Sequence, residues 1–143
     1  MSEKLVGRTK HGGLTLDQLA SIQPGMARLM EEVAHRYSLM TYACKGGNWA
    51  LGHYELRQLR GIFRIAVTTR PKYATELEAF DREYLTPIER AITEKDSETF
   101  LVAVHRGIAG SDEVHRRLGY PFIRYRLPKQ PPDHLDLGPG GEP

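Results

Sequence analysis

Apolar residues recur along this chain at steps of three and four, and most runs of them are closed by glycine or proline. That spacing draws a stripe down one side of a helix. The final stripe says the most: Phe100, Val104, Ile108, Ser111, His115 and Leu118. It places a histidine on the core-facing side, close to the helix end. A Gly119-Tyr120-Pro121 break follows, then an extended aromatic and basic segment to Pro128.

Taken in order, residues 1–13 are polar and Gly-rich, which predicts a flexible N-terminal segment over 1–14. Thr15 caps a short lead-in helix reaching Ile22. Pro24 then suits the first position of a helix that runs to about Cys44. Its stripe is Met26, Leu29, Met30, Val33, Tyr37, Met40 and Cys44, and Gly46-Gly47 stops it. Asn48 is a good cap for a second helix from Trp49 to about Thr68. That helix faces inward with Trp49, His53, Leu56, Leu59, Phe63, Ala66 and Val67. A third helical region starts near Lys72, with Tyr73, Leu77, Phe80 and Tyr84 inward. Thr86-Pro87-Ile88-Glu89 has the form of a capping box, which predicts a kink or restart there. Asp96-Ser97 caps the fourth helix, ending near Leu118.

Most of the chain's prolines lie beyond Gly119, so that tail is not helical. The expected class is all-α: an antiparallel four-helix bundle over residues 15–130 with an extended Pro-rich C-terminal tail. Residues 120–130 should lie along the bundle, and 131–143 should be disordered. A chain of 143 residues suits one such domain.

The totals narrow the function classes. A formal net charge of +2 with no dominant basic run argues against a nucleic-acid partner. No stretch approaches the roughly 18 apolar residues of a membrane span, so no membrane partner is expected. The N-terminus has no apolar run of the signal-peptide kind. One cysteine, Cys44, rules out an internal disulfide and any multi-cysteine metal site. These features together predict a cytoplasmic protein.

His115 is the leading site candidate, because a buried imidazole without a partner costs on the order of 1–3 kcal/mol and so calls for a hydrogen bond or a ligand. A core histidine satisfied by its neighbours is the plain alternative. His53, one turn after Trp49, is the second candidate. Glu32-x-x-His35 and Asp112-x-x-His115 imitate the halves of a carboxylate-bridged two-metal motif, but the stripe turns Glu32 and His35 outward. Cys44 has no cationic neighbour and is expected to be a buried structural thiol. Ser111, Asp112 and His115 are too close on one helix for triad geometry. Arg57, Arg60, Arg64, Arg116, Arg117, Arg124 and Arg126 form a solvated face, or else serve an anionic ligand such as a propionate.

Three features act together: the Asn48-Trp49 helix opening, the Lys95-Asp96 turn before a Phe100-led helix, and the ending Ser111-Asp112-Glu113-Val114-His115 before Gly119-Tyr120-Pro121-Phe122-Ile123. With them, Pro24 to about Pro132 resembles the small helical-bundle c-type cytochromes, the group of the cytochrome c-prime proteins. The resemblance implies a haem carried on the fourth helix by Cys-x-x-Cys-His, the histidine being the proximal iron ligand. Here His115 stands at the ligand position, while Ser111 and Val114 stand where the cysteines would be, so covalent attachment is chemically impossible.

Three classes of function follow. The leading expectation is noncovalent binding of haem or a similar planar apolar molecule. His115 would be the axial metal ligand, with Ser111, Val114, His53 and Trp49 around the cofactor, for gas binding or electron transfer. The alternative is a haem-free structural or interaction bundle that self-associates or binds a protein. Ser111 and Val114 suit an ordinary helix, and Asp112 and Glu113 sit poorly beside an anionic porphyrin. The third is an enzyme that uses the vacated pocket, with His53, Tyr54, Glu55 and His115 as acid–base groups. Bundles of this kind often pair through their first two helices, so a homodimer is expected.

Overall fold

The computed structural model describes residues 4–139. They are mostly helical, in keeping with an all-α chain, apart from one two-stranded sheet. Strands β1 (Leu5–Thr9) and β2 (Gly12–Thr15) form an antiparallel hairpin with a register shift between Leu5 and Gly7. It occupies most of the segment expected to be flexible; residues 1–3 of that segment lie outside the described ones. The turn glycines there connect paired strands, because Gly12 takes a φ of +137° that few other residues tolerate.

Helix α1 (Leu16–Ser21) follows at once, opened by a reciprocal capping box between Thr15 and Gln18. Helix α2 spans Met26–Lys45. Gly25 is its cap and Pro24 precedes the cap, so the helix begins two residues later than the sequence suggests. Helix α3 covers Trp49–Thr69, and the Asn48 side chain accepts from the Leu51 amide as expected. The four inward stripes are realised: Leu29, Tyr37, Met40, Cys44, Leu56, Leu59, Phe63, Ala66, Leu77, Ile88, Ile92, Phe100 and Val104 all enter one core.

The third helical region differs from a simple restart. A 3-10 turn (Pro71–Tyr73) leads into α4 (Ala74–Phe80), a π turn (Asp81–Leu85) and α5 (Thr86–Glu94) without a break. The Thr86-Glu89 capping box does not form. Instead the Thr86 amide donates to the Asp81 carbonyl, five residues back. Pro87 explains this: it has no N–H for the Glu83 carbonyl and its ring would strike that carbonyl, so the turn widens. With five residues in this turn, Asp81, Thr86 and Glu89 come to one side. Arg60 of α3 binds all three, donating from Nε and Nη2 to Asp81, from Nη1 to Glu89 and from Nη2 to Thr86.

Helix α6 (Ser97–Arg117) is capped by Asp96, whose carboxylate takes hydrogen bonds from the Thr99 hydroxyl and amide that hold it below the usual carboxylate range. Small residues let its neighbours come close. A Cβ at Gly107 would overlap the Tyr37 hydroxyl, and one at Gly110 would overlap the Tyr84 ring. Between α2 and α3, Gly52 likewise admits the Cys44 sulfur.

Beyond α6 the tail turns back over α2. The Tyr125 hydroxyl donates to the Ala34 carbonyl, that of Tyr42 to the Pro128 carbonyl, and Asn48 Nδ2 to the Asp136 carbonyl. Contacts therefore extend into the segment expected to be disordered, as far as Pro139 beside Gly47; residues 140–143 lie outside the described ones.

Replacing Gly110 by Ala should force the Tyr84 ring out of its place, costing roughly 1–3 kcal/mol, the range for overpacking a filled core. Urea unfolding of Gly110→Ala checks this, and an unchanged midpoint would show that the ring yields freely.

Candidate functional site

His115 sits in the last turn of α6, half-buried. Its Nδ1 lies 2.8 Å from the Ser111 carbonyl oxygen and 3.4 Å from the Ser111 hydroxyl. The carbonyl only accepts, so Nδ1 carries the proton, and Nε2 of the neutral ring is left as the basic nitrogen. Nδ1 thus has its partner within its own helix. Val114 is half-buried beside it.

Next to this turn the tail is clamped between two helices. Asp112 Oδ1 accepts from the Tyr125 amide at 3.0 Å, and the Tyr125 ring meets Tyr37 edge-on with centroids 5.7 Å apart. Tyr37 in turn donates to the Val104 carbonyl at 2.7 Å. Burial raises the phenol pKa of both tyrosines, that of Tyr125 to about 12.

The other sequence candidates lie elsewhere. Trp49 packs edge-on against Phe100, with centroids 5.8 Å apart. Phe100 and His115 are fifteen residues apart on one helix, about 22 Å at 1.5 Å per residue. His53 is partly exposed and points to α5, with Nε2 3.8 Å from Glu89 Oε2. Tyr54 is exposed, and Glu55 is buried against α2, accepting from Arg36 Nη1 at 2.9 Å. Ser111, Val114 and His115 thus share one turn, whereas Trp49, His53, Tyr54 and Glu55 diverge to four different surroundings.

The metal-like spacings also come apart. Glu32 pairs with Arg36 and His35 stacks on His134, both on the outer side as the stripe requires. Among the described residues no three His, Cys, Asp or Glu side chains converge as a metal site would need. Cys44 is buried, and burial pushes its thiol up to about 12. No helix among the described residues is long and apolar enough to cross a membrane.

Sequence names Glu55 only as an acid–base candidate and gives neither its pairing with Arg36 nor the cluster gathered by Arg60. Glu55 is only 2% exposed, and its one signal is a carboxylate at a position adjoining the inward stripe. The Arg60 cluster depends on the π turn, which only Pro87 announces. No protein-family model, curated protein or solved structure matches this chain.

Two measurements test this geometry. Arg36→Ala strands the buried Glu55 carboxylate and should cost about 3 kcal/mol, with much of that recovered in the Arg36→Ala, Glu55→Leu double variant. Full additivity of the two changes in chemical unfolding would show that the pair is not coupled. Cys44 keeps its proton in the folded chain well above the pH at which an unfolded thiol loses it. Its contribution to stability is therefore complete below about pH 8.5 and is lost as pH rises toward 12, with Tyr125 adding to the loss from about pH 10. Thermal unfolding between pH 8 and 11 should track this, and a Cys44→Ala variant should flatten the first part of the decline.

Proposed function

We propose that this chain is a haem-free antiparallel four-helix bundle that works as a structural or interaction module through its surface. The observation that carries this reading is the filling of the inner face of α6. Tyr37 occupies the space over Gly107, Tyr84 the space over Gly110, and Tyr125 closes the groove toward α2. A porphyrin held by His115 needs a flat apolar slot along that helix, and these three rings stand in it. Ser111 and Val114 offer no thiol to hold the group, and Asp112 is bound to the tail backbone. These contacts support the haem-free reading.

One observation supports the second reading, noncovalent haem or a similar planar ligand on His115. A metal-binding imidazole usually donates its other N–H to a carbonyl or carboxylate, and His115 Nδ1 does so to Ser111. Displacement of Tyr84 or of the tail at Tyr125 would be required first.

Titration of the purified protein with hemin separates the two readings. The module reading expects no Soret band that saturates at one haem per chain, and the same spectra for His115→Ala. A saturating one-to-one band that vanishes in His115→Ala would overturn it in favour of the ligand-binding reading.

A further inference from the structure

The turn that ends α6 exposes side chains that a water-facing turn does not need. Phe122 is 77% exposed, and Tyr120 and Ile123 are more than 40% exposed. The turn is nevertheless firmly built. Gly119, at φ +93°, closes α6 with two backbone bonds, from its own amide to the Arg116 carbonyl and from the Tyr120 amide to the His115 carbonyl at 2.8 Å. The Ile123 amide then donates to the Tyr120 carbonyl at 3.0 Å, making a tight turn with Pro121 at its second position. The Tyr120 and Phe122 rings meet edge-on at 6.1 Å, and the Tyr125 amide anchors the far side to Asp112. Phe122 is thus held out at the tip of a turn fixed on both sides.

Cations flank that tip along the chain. From residue 116 to 129 the chain carries Arg116, Arg117, Arg124, Arg126 and Lys129 and no Asp or Glu, a charge of +5. Since the whole chain is +2, the remainder is −3. Glu113 pairs with Arg116 and approaches Arg117, yet both arginines stay more than half exposed. An apolar tip flanked on both sides of the chain by exposed cations matches an anionic lipid surface: the rings enter the headgroup layer while the cations meet its charge. A nucleic acid would call for a cationic groove with aromatics lying in it, whereas this turn is convex and its tip residues, Phe122 and Ile123, have no polar side-chain atoms.

We propose that the Tyr120–Ile123 turn is a peripheral docking tip for an anionic lipid surface. This differs from the sequence expectation of no membrane partner, which concerned spans. It also goes beyond the module reading and involves neither Tyr84 nor the His115 Nε2, so the hemin titration does not decide it.

Sedimentation of the full chain with vesicles tests it. Vesicles of phosphatidylcholine with about one third phosphatidylserine should carry the protein down, vesicles of phosphatidylcholine alone should not, and added salt should weaken the binding. Phe122→Ser should weaken it several-fold, and Arg124→Ala and Arg126→Ala roughly fivefold each, about what one cation contributes near such a surface. All three positions are exposed, so unchanged helicity and melting temperature confirm an intact fold. Arg57→Ala, exposed on α3, should bind as the parent does. Absence of phosphatidylserine-dependent sedimentation overturns the proposal, as does binding that Phe122→Ser leaves unchanged. Capture of a single-stranded oligonucleotide in place of the vesicles would overturn it in favour of a nucleic-acid surface.

Discussion

The Tyr37 hydroxyl reaches from α2 across the core to the Val104 carbonyl of α6, and much of the packing follows from that one bond. The bond is buried, so leaving either group unpaired would cost on the order of 1–3 kcal/mol. Its short reach requires α2 and α6 to approach closely, and Gly107 provides the room. The same ring then offers an edge to Tyr125, which fixes where the tail crosses. A hydroxyl one helical turn too high or too low would leave the tail without its platform.

A second constraint comes from charge. Arg60 is only 17% exposed in its side chain, yet it satisfies two carboxylates and a hydroxyl on the α4–α5 segment. Arg36 does the same on the other side for the buried Glu55. In both places an arginine fork spans two helices, and the planar guanidinium sets their relative rotation more closely than apolar contacts alone would. Helix α3 carries a partner in each pair, so it is tied to α2 by Glu55 and to the α4–α5 segment by Arg60.

What sequence reading recovers here follows from the range of the physics involved. The stripes and the caps at Thr15, Asn48 and Asp96 are local, decided within one or two turns, and they stand where the residues indicate. The Thr86-Glu89 box is equally local and fails, because the widened turn at Pro87 carries the helix on through Thr86 and Arg60 takes both side chains from a distant helix. The hairpin was hidden because its strands are short and Gly-rich, with little alternation to mark them. At the candidate site, the burial of His115 could be inferred from its phase. Its bond to Ser111 is a local helix contact, but the divergence of Trp49 and His53 depends on how the helices run past one another, which a single stripe does not record.

The strap made by the tail has a consequence for how the molecule comes together. Its bonds to Ala34, Tyr42 and Asn48 join partners 91, 86 and 88 residues apart, whereas α2 and α3 meet across a three-residue turn. Closing such long loops adds only a logarithmic entropy cost, yet it is met after local pairs have formed. Among the contacts of α2, those to the strap are then the last to form and the first to open in native fluctuations. When the strap lifts, Tyr42 on the outer face of α2 and Asn48 at the head of α3 are bared while Tyr37 keeps its bond to Val104. Opening of the strap alone would leave the α2–α6 bond in place, since that bond involves no strap residue.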